Sequence, residues 1–69
     1  MAIDRFEYIP QDDILLIRLQ EGKVARTLRR RPCILVDVDV NGKPISIEVV
    51  GFKSLSVDPH PLLDVLREF

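Results

Sequence analysis

The chain has one cysteine, one histidine and no tryptophan, and each shortage removes a class of protein. Cys33 has no second thiol to join, so no internal disulfide braces the fold. One Cys and one His fall short of the four ligands of a structural zinc site, and nothing else in the sequence calls for a cofactor. Apolar runs are short. Ile14–Ile17 is among the longest, far below the roughly 20 residues of a membrane-spanning helix. Met1–Pro10 lacks the basic stretch and apolar core of a signal peptide. A lone thiol also suits a reducing compartment, so a soluble, cytoplasmic protein is expected. Charge of one sign is scarce as well. The formal net charge is −1, which argues against general nucleic-acid binding.

Sixty-nine residues leave room for a single domain, 1–69. A chain of this size buries only about 60% of its unfolded surface, so its core is marginal without a metal, a disulfide or a partner. Apolar residues nevertheless make up 46% of the chain, a large share for so little interior. Self-association is the remaining aid, and a homodimer is expected.

The strongest local signal is Asn41-Gly42 between two β-branched runs, the pairing of a two-residue type I′ hairpin. That turn sets Val38 against Ile45, Val36 against Ile47 and Ile34 against Val49 on one apolar face. The other face receives Asp39 with Pro44, Asp37 with Ser46, Leu35 with Glu48 and Cys33 with Val50. A slip of one residue would mix the two sets, so the pattern specifies the register. Upstream, residues 14–19 read as a strand and 20–23 as a turn with Gly22 in a left-handed conformation. Residues 24–29 read as the partner strand, setting Leu19 against Val24, Ile17 against Arg26 and Leu15 against Leu28. Residues 3–9 read as a first strand, closed by Pro10-Gln11-Asp12-Asp13, and Pro32 divides the third strand from the fourth.

The period then changes. Asp58 suits a helix N-cap and Pro59 the first helical position. Leu62, Val65, Leu66 and Phe69 follow the spacing of one helical face. A helix this short is unstable alone, so its stripe must dock. The expected class is α+β: an antiparallel β-meander of about five strands over 3–52, with a C-terminal helix at about 59–68 packed on the sheet or exchanged across it.

The run Tyr8-Ile9-Pro10-Gln11-Asp12-Asp13-Ile14-Leu15-Leu16-Ile17-Arg18-Leu19 resembles the opening of a family of small prokaryotic β-rich proteins classed as a domain of unknown function. The family pattern reads approximately Y-D-P-E-A-D-A-L-Y-I-R-L, then E-G-K-V-x-x-[ST], then an aliphatic strand with Asp, a Gly turn and G-I-E-I. Glu21-Gly22-Lys23-Val24-Ala25-Arg26-Thr27 matches the second part. Ile34-Leu35-Val36-Asp37-Val38-Asp39, Gly42 and Ile47-Glu48-Val49 match the third, and the likeness spans Phe6 to Phe52. Ile9 stands where the pattern has Asp, Leu16 where it has an aromatic, and Arg29-Arg30-Arg31 where acidic residues are common, so roles of those family residues do not carry over. The resemblance implies a compact β-rich fold, no established activity, and genes of this type beside small toxin-like partners.

Five basic residues, Lys23, Arg26, Arg29, Arg30 and Arg31, crowd into nine positions. Arginines alternating on a strand grip phosphates or an acidic partner. They also serve as a charged edge that blocks edge-to-edge aggregation, with Asp37, Asp39 and Glu48 as cross-strand partners. The second role is expected. The same three carboxylates match no metal-binding loop, and Asp12-Asp13 reads as a turn pair. No nucleophile or carboxylate is indicated beside His60, which reads as a surface residue. Cys33 reads as a small hydrophobe on the face opposite the valines.

These readings describe a non-enzymatic interaction protein without metal or cofactor, homodimeric, and an antitoxin-like or regulatory partner of another protein. Leu16, Leu35 and Val50 are the expected contacts on the second sheet face. The alternative is a nucleic-acid-binding module using Arg26, Arg29, Arg30 and Arg31.

Overall fold

The computed structural model describes residues 3–54 and 60–68. Five strands, β1 (Arg5–Ile9), β2 (Ile14–Arg18), β3 (Arg26–Arg31), β4 (Ile34–Val38) and β5 (Pro44–Val50), precede one helix, α1 (Pro61–Arg67). The strands form one sheet in the order β1-β2-β5-β4-β3, with every neighbouring pair antiparallel. The α+β class and the five antiparallel strands agree with the sequence reading.

One expected pairing is overturned. β2 does not pair with β3; it pairs with β5, setting Ile17 against Ile47 and Leu15 against Val49. The physical reason lies in the two registers. Pairing with β3 would have put Ile17 opposite Arg26, whereas pairing with β5 extends an apolar row and leaves the arginines at a sheet edge. β2, β5, β4 and β3 therefore take the order of a Greek key. The connection from β2 to β3 crosses the end of the sheet, held where Leu19 N–H donates to the Ile45 carbonyl (2.8 Å) and Ala25 N–H to the Val38 carbonyl (2.8 Å). Gly22 lies on this crossing. A Cβ there would sit 2.6 Å from Ile45 Cδ1. Close approach, not the expected left-handed turn, explains the glycine.

The β4–β5 hairpin keeps the expected pairs Ile34–Val49, Leu35–Glu48, Val36–Ile47 and Asp37–Ser46, then shifts so that Val38 meets Pro44. The two-residue turn is replaced by a longer one. Gly42 N–H donates to the Asp39 carbonyl (3.0 Å), and the Asp39 carboxylate accepts from the N–H of Asn41 and of Lys43, both at 2.9 Å. Only Gly42 (φ 82°) has a positive φ in this turn, whereas type I′ requires two such residues. Asp39 supplies the difference, since its side chain satisfies two N–H groups that a tighter turn would leave to the strands.

Ile17, Ile34, Val36, Val38, Ile47, Val49, Leu62 and Val65 form one buried cluster, with Leu15, Leu19, Leu28, Cys33, Phe52 and Leu66 packed against it. Cys33 thus sits with the valines, contrary to expectation, because it lies in the two-residue β3–β4 connection where strand alternation has ended. The helix starts at Pro61 with His60 as its cap, His60 Nδ1 accepting from Leu62 N–H at 3.0 Å. The expected cap at Asp58, with Pro59 after it, and the apolar position at Phe69 lie outside the described residues.

Candidate functional site

Asp13 gathers more bonds than any residue singled out from sequence. It has φ 53°, a conformation Asp tolerates better than most side chains. Its carboxylate accepts from the Tyr8 hydroxyl (2.6 Å), the Lys53 N–H (2.9 Å), and the Ser54 N–H (3.1 Å) and hydroxyl (2.7 Å). Its carbonyl accepts from Gly51 N–H (2.8 Å) and Phe52 N–H (3.0 Å). The Tyr8 bond first, then those from Lys53 and Ser54, hold its carboxyl well below the usual carboxylate range against the opposing effect of desolvation. The same hydrogen bond is the main cause that pushes the Tyr8 phenol up. Phe52 lies edge-on to Tyr8 (centroids 6.3 Å apart) and against His60 (5.1 Å). Lys53 Nζ sits 4.6 Å from the centre of the Tyr8 ring.

These groups resemble a reactive cluster in composition, yet their polar atoms are spent on the fold. Asp13 clamps 51–54 onto the β1–β2 turn. His60 uses one ring nitrogen as a helix cap and holds the other 3.4 Å from the Phe52 carbonyl. His60 is therefore a half-buried structural residue, not the expected surface one. The signal in the sequence was the Tyr and Asp of the family pattern at positions 8 and 13. No local period links those two to Lys53 and Ser54.

The arginines do not act as a group. A bulge in β3 sets Arg29 opposite Leu35 and Arg31 opposite Ile34, with Arg30 as the extra residue. Arg30 binds Glu68 through both Nε and Nη2, and Arg31 Nη2 lies 3.7 Å from Asp64. Bulges re-aim side chains, and this one gives α1 two consecutive guanidinium partners. Arg29 donates to the Pro32 carbonyl (2.6 Å), and Arg26 stands opposite Val38 on the apolar side. The expected partners are engaged elsewhere: Asp37 accepts from Thr27 (2.5 Å) and Ser46 (2.8 Å), and Asp39 holds its turn. Among the described residues, no three Asp, Glu, His or Cys side chains converge on a metal-sized site.

The side of the sheet away from the buried cluster is different. The strand registers align one row across all five strands, Glu7, Leu16, Glu48, Leu35 and Arg29, and a second, Arg5, Arg18, Ser46, Asp37 and Thr27. Ile9, Ile14 and Val50 make a third. None of these residues is buried, and Val50 is 42% exposed. The structure thus brings Leu16, Leu35 and Val50 onto one outer face, while it spreads the four arginines over an edge and both faces.

The profile of a family described as "Protein of unknown function (DUF2283)" matches residues 5–53. The chain belongs to this family. The DUF2283 stretch contains all five strands and ends at Lys53, inside the segment that Asp13 clamps, and α1 lies beyond it. No curated protein and no solved structure matches the chain. Within the DUF2283 stretch, Tyr8 and Asp13 bond directly, which gives those two positions a structural reason. No helix among the described residues is long and apolar enough to cross a membrane.

Proposed function

We propose that this chain is a non-enzymatic, homodimeric interaction protein whose outer sheet face binds protein, acting as a small regulatory or antitoxin-like partner. The observation that carries the reading is the outer face itself. Leu16, Leu35, Val50, Ile14 and Ile9 are aligned across the strands, with Glu48 between Leu16 and Leu35 and with Glu7, Arg18, Asp37 and Arg29 at the border. An apolar patch rimmed by charge is the usual mark of a protein-binding surface. The helix belongs to the fold, not to this surface. Its Leu62 and Val65 sit in the inner cluster, and Arg30 with Glu68 and Arg31 with Asp64 favour a helix kept on its own sheet over one exchanged between copies. The same ion pairs weigh against nucleic-acid binding, since two of the four guanidiniums already face carboxylates.

In-cell photo-crosslinking of the full chain tests the reading. A photoreactive residue at position 50 or 35 is expected to give discrete protein adducts, and one at Asp12 or Asn41 none. Equal adduct patterns from all four positions overturn it. So does salt-sensitive retention of the purified chain on DNA or RNA filters, because phosphate-driven binding falls steeply with salt.

A further inference from the structure

We infer that the occupant of the outer face is a second copy of this chain, related by a two-fold axis running along β5. The inference rests on the protein-binding reading above and specifies its partner and register. β5 is the central strand, β2 and β4 flank it, and β1 and β3 are the edges. A face-to-face two-fold along β5 places β1 over the partner's β3 and β2 over its β4, with the strands of the two sheets aligned as sandwich packing prefers. In the row Glu7, Leu16, Glu48, Leu35, Arg29, Glu7 then meets Arg29 and Leu16 meets Leu35, each pair occurring twice by symmetry. In the neighbouring row, Arg18 meets Asp37. Arg18 also bonds Asp4 (3.2 Å) and Glu21 (3.1 Å) within its own chain, and Asp37 accepts from Thr27 and Ser46, so this pair adds less than the Glu7–Arg29 pair.

The competing face-to-face axis, perpendicular to the strands and centred on the same row, pairs every strand with itself. It would set Glu7 on Glu7, Glu48 on Glu48 and Arg29 on Arg29. Like charges held face to face suppress association, so the axis along β5 is the self-complementary one. It leaves a single like-charge contact, because Glu48 lies on the axis strand and meets its own copy.

The face is small. Five strands about 4.8 Å apart and about 17 Å long cover roughly 400 Å² per copy, which belongs to the weak, transient class of interface. Association is therefore expected at micromolar to millimolar concentrations, not nanomolar ones.

Sedimentation velocity of the purified full chain from about 10 μM to about 1 mM, the range that weak pairing spans, tests the inference. A concentration-dependent monomer–dimer equilibrium is expected. Glu48→Gln, which removes the like-charge contact, is expected to tighten it by up to about fivefold. Arg29→Glu is expected to weaken it, and Glu7→Arg with Arg29→Glu to restore it, all with unchanged circular dichroism. Weaker association in Glu48→Gln, or no rescue in the double swap, overturns this axis. A monomer throughout the range overturns self-pairing altogether, while discrete adducts from positions 50 and 35 in cells would leave the protein-binding reading standing with a different partner.

Discussion

At the scale of single residues, Asp13 does the most to join distant parts of the chain. Its carboxylate and carbonyl together accept bonds from Tyr8 in β1 and from the backbone of 51–54. Its carboxyl is depressed below its ordinary value, so the charged form is the one the fold stabilises. That stabilisation is complete above the unfolded carboxylate range of about pH 4 and is lost as pH falls toward the native value. In thermal unfolding, Asp13→Asn is therefore expected to melt below the wild type at pH 7, with the gap narrowing steadily by pH 3. A gap independent of pH would mean that the charge is not what the four donors recognise. Tyr8 works in the opposite sense: its raised phenol favours the native state below about pH 10, and that contribution fades as pH climbs through the native value.

At the scale of elements, the sheet's two faces make unequal demands. Val36 has no exposed surface, and its neighbours across the strands are Leu28 and Ile47. An unpaired carboxylate there costs several kcal/mol, comparable to the roughly 3–5 kcal/mol that a core of this size supplies. Val36→Asp should leave an unfolded chain by circular dichroism, whereas Leu35→Glu, one position back and facing outward, should fold. If both unfold, the outer face is part of the core after all. The helix depends on a different force. Arg30 and Arg31 tie α1 to β3 through half-exposed pairs, each worth about 0–1 kcal/mol. Arg30→Gln with Arg31→Gln should lower the melting temperature by only a few degrees and speed amide exchange in 61–67 selectively. Faster exchange spread evenly over the sheet would contradict that division.

At the scale of the whole molecule, inner and outer faces account for the high apolar content of a short chain. The inner cluster consumes the alternating valines and isoleucines of β4 and β5 together with Leu62 and Val65. Val50, at 42% exposure, and the partly buried Leu16 and Leu35 remain outside it. Under self-pairing along β5, dilution exposes them together with Glu7 and Arg29, so dimer content should fall as salt screens the charged rim. A chain that binds a different protein has no reason to show that dependence on its own.

Much of this was legible in the sequence because it is local. Alternation with period two specified which residues of 34–38 and 45–49 face inward and how most of them pair, since a slip would have buried Asp37 and Glu48. A change of period announced α1, and the spacing of Leu62 and Val65 placed its inward stripe. Tertiary structure decided what local periods do not encode. Leu15 and Ile17 alternate in the same way whether β2 pairs with β3 or β5; only the gain from a continuous apolar row, Ile17 with Ile47 and Leu15 with Val49, selects β5. One extra residue in β3 turned Arg30 and Arg31 toward carboxylates more than thirty positions away. Asp13, a simple turn residue by composition, acquired its partners at 51–54 only because β2 and β5 lie side by side, so that the end of one strand delivers its N–H groups to the start of the other.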